Sequence, residues 1–533
     1  MDVLHIIFRE LQPGRSLCEL SLTCKWIRSA CGPILFRKLF FRSKLLDKSE
    51  VPEFIPPSLW PYIQELDFYG FFARRDLPRY EDEDYELNDP ERILDPLRRT
   101  TAAKKLGQYV YDALTAMPSL HSVRIVQPVW EYDLDVPGIP WYVLAAVLGT
   151  SRMRRIAIGG PICHPDDRLP PDAESVSIAP LETFHLERSL SLHPPRRIPT
   201  ERETLHLILS RACRSLQRLI LPSEPSPPTA METWDWPALR DFSLRGERKN
   251  RSRPLVKLLR KMPRLRTLSL VLAEPARSSP PPIWPSSFSG RCQIQNLEKL
   301  TVTHPNPDDE LYAHLPGTLR RLSLPCWPRY YVHHCILREY MTEAGAKWSP
   351  AILTSSKMLH ILKRSDTPQL IDLEFEYQAD DDDAKLWRHV GSSYPLLTGL
   401  RVHRYRADGE LEVPVDTIAR SLSALRKLKL LMLHLDFADL PAVTLYNDGR
   451  AEVQHPLPEQ TRQLTQSMAT MTRAADVYVK TLSSSLEYIC FLRPLRHEER
   501  QWVTFNVVRD AGVGEPRAEP FEARHTYKLY GYS

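Results

Sequence analysis

Met262-Pro-Arg-Leu-Arg-Thr-Leu-Ser-Leu-Val-Leu272 is the clearest copy of a short phrase that recurs along most of the chain. Leu265, Leu268 and Leu270 carry it. The last two alternate with Thr267 and Ser269, the period of a strand with one buried face. Upstream, Arg253 to Lys261 places Leu255, Leu258 and Leu259 at the spacing of an amphipathic helix, so the unit reads helix, proline turn, strand. The pattern apolar-x-x-apolar-x-apolar opens at Ile63, Leu120, Met153, Leu181, Leu216, Leu239, Leu265, Leu297, Leu319, Leu370, Leu397, Leu425 and Leu486. Its mean interval is roughly 35 residues, within the range of stacked-repeat architectures. Individual intervals vary widely, so the repeat is degenerate. Strands that each follow a helix, with no hairpin signal between, predict an α/β solenoid: a right-handed parallel stack with strands inside and helices outside.

The phrase resembles a divergent leucine-rich repeat, from about residue 60 to about residue 495. Two departures stand out. The period is longer, and the Asn or Cys that normally follows the strand and satisfies buried backbone in the turn is mostly missing; after Leu270 come Val271, Leu272 and Ala273. What these departures bear on is the regularity of the ladder.

A chain of 533 residues with 42% apolar residues can bury a large core. Its 71 basic and 66 acidic residues nearly balance, which gives no electrostatic case for nucleic acid. The 48 Pro against 19 Gly disfavour Gly-rich phosphate loops and suit rigid turns. Nine cysteines without a C-x-x-C pair argue for reduced thiols in a cytoplasmic or nuclear protein, not for disulfides or a zinc site. Neither a signal peptide nor a stretch of membrane-spanning length is visible, so no membrane partner is expected.

The first segment has a different grammar. Val3, Leu4, Ile7, Phe8 and Leu11 mark one face of a helix that ends at Pro13-Gly14. Leu17, Leu20 and Leu22 mark a second helix, and Trp26 and Ile27 belong to a third, between Cys24 and Ala30. Three short helices in about forty residues bury little surface alone, so the module needs a partner, the following domain, or both. Asp2-Val-Leu-His-Ile-Ile-Phe-Arg-Glu-Leu11, Leu17-Cys-Glu-Leu-Ser-Leu-Thr-Cys-Lys-Trp26 and Pro33-Ile-Leu-Phe-Arg-Lys-Leu39 closely resemble an F-box, in particular those of fungal F-box proteins with leucine-rich-repeat-like bodies. The resemblance implies that the module docks on the Skp adaptor of a cullin–RING ubiquitin ligase while the repeats capture a substrate. By matching position, Val3, Leu4, Ile7, Leu11, Leu20, Leu22, Trp26 and Ile27 would supply the adaptor interface or the small core behind it. The Leu-Pro pair that usually opens the motif, just before the position of Asp2, is missing, which implies either a start further upstream or weakened adaptor binding. The alternative is a helical cap for the solenoid. The domains expected are the helical module at 1–42, the repeats at 43–505, and a cap or tail at 506–533.

Other stretches are weaker signals. Glu81-Asp-Glu-Asp-Tyr-Glu86 reads as a solvated insertion loop before recognition of a basic substrate. Arg245 to Arg253, with Arg248, Lys249 and Arg251, reads as a charged loop before an import signal or phosphate site. Pro222 to Pro228 and Ser278 to Pro285 are joints between rigid elements more than P-x-x-P ligands. His333-His-Cys335 has no second cluster at ligand spacing, so no metal is assigned, and Asp380 to Asp383 complement a helix start over Ala384 to Val390. Helices are expected over Lys104 to Ala116, Thr200 to Ala212 with a capping box at Thr200 and Glu203, and Glu459 to Leu482, and a last strand over Gln501 to Val508.

Phosphate-loop, nucleophile-elbow and H-E-x-x-H patterns are absent, so neither an enzyme nor a cofactor is expected. The strand residues that alternate outward, Asp67, Arg124, His185, Ser243, Ser269, Thr301, Ser323, Glu374, Arg401 and Lys429, would line the concave face and hold a protein substrate. The expected function is therefore a non-catalytic substrate adaptor of a Skp–cullin–F-box ligase. The alternative is a repeat scaffold not coupled to ubiquitination.

Overall fold

The computed structural model describes residues 15–42, 55–69, 96–126, 138–163, 168–187, 199–248, 253–274, 279–290, 294–326, 352–407, 409–438, 458–492, 502–509 and 515–521. They fall into two compact units, Met1–Phe242 and Ser243–Ser533, and both are leucine-rich-repeat-like.

In the first unit, helices α1 (Arg15–Ser21) and α2 (Lys25–Leu35) lead into β1 (Lys38–Arg42). Then come β2 (Glu65–Tyr69), β3 (Ser122–Val126), β4 (Arg155–Gly159), β5 (Thr183–Glu187) and β6 (Arg218–Pro222), each parallel to the one before. Strand β1 is not among the expected repeats. Its phrase, Phe36-x-x-Leu39-x-Phe41, lies inside the stretch read as the lead-out of the helical module, yet Phe40 aligns with Asp67. Helices α3 (Pro96–Ala116), α4 (Trp141–Gly149), α5 (Pro199–Ala212) and the single turn α6 (Pro228–Met231) supply the other layer. The helix starts at Pro199, so Thr200 lies in its first turn.

The boundary between the units falls inside β7 (Asp241–Glu247). In the second unit β8 (Thr267–Ala273), β9 (Lys299–Val302), β10 (Arg321–Leu324), β11 (Asp372–Gln378), β12 (Gly399–Tyr405), β13 (Leu430–His434) and β14 (Tyr488–Leu492) pair in parallel and in chain order. Between them come α7 (Val256–Leu259), α8 (Ser355–Arg364), α9 (Asp383–Ser393), α10 (Val415–Leu422) and α11 (Pro458–Thr481). The last four pack side by side in sequence order. The ladder ends in antiparallel strands, β15 (Trp502–Val508) and β16 (Arg517–Phe521), with β16 against α11. This hairpin covers the free edge that β14 would otherwise present.

A helix does not precede every strand. Among the described residues, a 3₁₀ turn, Ala173–Ser175 or Glu310–His314, is the only helical element between β4 and β5 and between β9 and β10, and α7 is one turn long where nine residues from Arg253 to Lys261 were expected. Strand entry is nonetheless largely uniform. At most strands the N–H groups of the two residues that follow the buried anchor share one carbonyl of the preceding repeat: His121 and Ser122 on Gln64 at 3.1 and 3.2 Å, Thr398 and Gly399 on Ile371 at 2.8 and 3.0 Å.

At the strand exits, other side chains take over from the missing Asn. Asp309 accepts the N–H groups of Ile283, Trp284 and Leu311, Glu376 that of Cys326 at 2.6 Å, and Asp436 that of Arg406 at 3.1 Å. Thr303 accepts from Leu272 N–H at 2.7 Å. Backbone buried without a partner is costly, and these residues keep the ladder regular without the usual Asn.

Candidate functional site

Leu17 and Cys31 form the centre of the N-terminal helical module, with Leu20, Ile27, Ala30, Ile34 and Leu35 packed on them. Cys24 caps α2 by accepting the Ile27 N–H on its sulfur at 3.4 Å. Of the expected adaptor contacts, Leu20 and Ile27 point inward. Leu22 and Trp26 point outward, 71% and 62% exposed, and Phe40 on β1 is 68% exposed. Val3, Leu4, Ile7 and Leu11 lie outside the described residues.

On the sheet of the first unit, Phe40, Asp67, Arg124, Ala157, His185 and Ile220 are aligned across β1 to β6. The predicted Asp67, Arg124 and His185 therefore share one row, and Ala157 and Ile220 join it. A second row on the same face holds Lys38, Glu65, Ser122, Arg155, Thr183 and Arg218, two residues earlier on each strand. Asp67 is buried and pairs with Lys38 at 3.1 Å; His185 meets Glu187 at 3.6 Å. Burial lowers the His185 pKa below the ordinary imidazole value; Glu187 opposes this, and Arg218 and Arg124 add to it.

In the second unit Ser269, Thr301, Ser323, Glu374 and Arg401 also share one row, as predicted, and Met432, Cys490 and Thr504 continue it. This row satisfies itself. Ser323 donates to Glu374 at 2.6 Å, Arg401 pairs with Glu374 at 3.1 Å, and the Arg401 guanidinium lies over the Trp502 ring at 5.9 Å. Ser243 sits half-buried on β7. Lys429 is a correction: it precedes β13, its N–H bonds Thr398, and its ammonium pairs with Glu487 at 2.8 Å. The residue aligned with Arg401 is Met432, because the phrase that enters the sheet is Leu428-x-x-Leu431-x-Leu433, three residues later than the one anchored at Leu425.

Beyond these rows, Glu376, His403 and His434 are aligned and buried. Burial, His434 and Arg401 drive the His403 pKa well below the usual value. On the opposite face, Arg404 is 1% exposed and binds Asp383 at 2.9 Å and Glu410 at 2.6 Å, while Tyr377 donates to Asp383 at 2.6 Å. Burial alone would weaken the Arg404 charge, but Glu410, Asp383 and Tyr377 outweigh it and hold its pKa above the ordinary value. Sequence reasoning took Asp383 for a helix-start charge and missed this cluster, whose only hint was an Arg at a strand position.

The basic stretch does run between a strand and a helix, but its Arg248 is buried, donates to the carbonyls of Pro281 and Pro282, and lies 3.9 Å from Glu274. Lys249, Arg251, the acidic run at 81–86 and His333-His-Cys335 lie outside the described residues. Among the described residues no group of three or more His, Cys, Asp or Glu side chains could hold a metal ion, and no helix is long and apolar enough to cross a membrane.

No protein-family model and no curated protein matches the sequence. Among solved structures, the chain is similar to the yeast Rad7 and Elc1 complex at 13% identity and a TM-score of 0.35, over 81% of this chain and 87% of that one. It is also similar to the TLR13–ssRNA13 complex at 12% identity and a TM-score of 0.22, over 75% of this chain and 58% of that one.

Proposed function

We propose that this chain is the substrate-recognition subunit of a Skp–cullin–F-box type ubiquitin ligase. Its N-terminal helices dock a Skp-type adaptor and, through it, a cullin–RING ligase, and its strand faces hold a protein substrate. The observation that carries the reading is the pair Leu22 and Trp26, both exposed beside the small core of Leu17 and Cys31 on which Leu20 and Ile27 pack. A large exposed apolar pair is the anchor expected of a docking surface. On this reading the chain is not itself an enzyme and needs no cofactor or metal: partner subunits transfer ubiquitin, and the chain raises the local concentration of the target. It works in the cytoplasm or nucleus, without nucleic acid or membrane partners.

The test is co-purification of the full chain with a Skp-type adaptor, beside a Leu4→Asp/Ile7→Asp variant, a Leu22→Asp/Trp26→Asp variant and one carrying Leu-Pro ahead of Asp2. Stoichiometric capture that both double variants abolish is the expected result.

A second reading, a scaffold without a ligase, is favoured by one observation. The strand that follows the helices, β1, is already the first strand of the sheet, and a side chain added at Gly32 would meet the Tyr62 ring, so the module also caps the repeats. Folded protein that captures no adaptor even with Leu-Pro added would leave this reading in place.

A further inference from the structure

We infer that the sheet face of the first unit is a docking surface for a short acidic peptide segment, held by Arg124, Arg155 and Arg218; this rests on the reading that the repeats bind a protein. The three arginines are exposed and have no carboxylate within salt-bridge distance among the described residues. The register spaces them. Arg155 and Arg218 share a row with Thr183 between, two strand spacings or roughly 9.6 Å apart. Arg124 stands on the strand beside Arg155, two residues further along.

The floor between them is low, made of Ser122, Ala157, Gly159 and Thr183. An extended backbone can lie across it with acidic side chains reaching the guanidinium forks. The second unit shows the contrast. Its matching positions neutralise one another, Arg321 with Asp372 at 2.9 Å and Arg401 with Glu374 at 3.1 Å. A chain that pairs its strand-face arginines in one unit leaves them without such partners in the other.

Charge also limits the length of the ligand. Asp67 and Glu65 lie on one side of the arginines, and Glu187 on the far end of the next strand. The backbone N–H of Asp241 bonds the Gln217 carbonyl beside Arg218. A long polyanion would meet these carboxylates. A run of a few Asp or Glu fits the gap between them.

The experiment uses the full chain and a fluorescein-labelled dodecapeptide rich in Asp and Glu, read by anisotropy, beside its Asn/Gln counterpart and a labelled single-stranded oligonucleotide of equal charge. A variant with Arg124→Ser, Arg155→Ser and Arg218→Ser removes only exposed side chains, and Arg321→Ser is the control. The acidic peptide should bind, weaken several-fold between about 50 and 200 mM salt, and lose about tenfold or more in the triple variant, while the control keeps its affinity. Absence of binding, equal binding of the Asn/Gln peptide, or no effect of the triple variant would overturn the inference. Tighter binding of the oligonucleotide through the same arginines would replace it with a nucleic-acid site. A random peptide library selected on the full chain separates the two levels. Enrichment of neutral sequences overturns the acidic preference and leaves peptide binding intact; no enrichment at all counts against both.

Discussion

Arg404 is a guanidinium almost wholly removed from water, and its two carboxylates are what make that tolerable. Truncating one partner of such a group leaves the rest buried and uncompensated. Arg404→Ala should therefore destabilise the second unit by about 3–5 kcal/mol, read as a drop in the urea midpoint. His403 gives a second prediction. Its pKa is driven well below the usual value by burial, then by His434 and Arg401, so the folded chain holds it neutral while the unfolded chain protonates it below about pH 6.5. Stability should fall as pH drops from about 7.5 towards 5.5, and His403→Gln should flatten that slope; an unchanged slope would assign the titration elsewhere. Neither residue was legible as functional in the sequence. Their burial depends on partners such as Glu410, Asp383 and Trp502, which only the folded register brings near.

Helices in this chain approach one another at glycines where nothing larger fits. A Cβ on Gly391 of α9 would overlap the Ser421 carbonyl oxygen of α10, and one on Gly107 of α3 would stand 2.6 Å from the Tyr142 carbonyl oxygen of α4. Alanine is the better helix former by about 1 kcal/mol, yet overpacking costs roughly 1–3 kcal/mol or more. An overlap with rigid backbone decides which wins. Gly391→Ala should lower the melting midpoint, whereas Gly317→Ala, with no atom within 4 Å of its added methyl, should leave it unchanged. At this scale the sequence was informative. Buried leucines at fixed spacing marked most strands, and the alternation on each gave one outward residue per strand, such as Asp67, Arg124, Glu374 and Arg401. It slipped where leucines run on: Leu425, Leu428, Leu431 and Leu433 fit the phrase in two frames, and pairing with β12 alone selects the later one. It missed β1 because Phe36, Leu39 and Phe41 already had an explanation as part of the helical module, and it missed the ladder's side-chain supports because Asp309, Glu376 and Thr303 lie at no fixed offset from the strands.

For the whole molecule, the account is that one end recruits and the repeats select. Strand-face arginines pair with carboxylates in the second unit, whereas Arg124, Arg155 and Arg218 of the first have none within reach among the described residues, and Leu22 and Trp26 are exposed. Adaptor binding is the claim on which the ligase reading stands or falls. The most direct measurement is calorimetric titration of a purified Skp-type adaptor into the full chain, with Trp26→Ala alongside and thermal unfolding of both proteins as the control. The account predicts a one-to-one complex, weakened about 30-fold or more by Trp26→Ala, the loss expected of a central tryptophan anchor, with an unchanged melting midpoint. No binding by the folded chain, or binding that Trp26→Ala leaves intact, would contradict it.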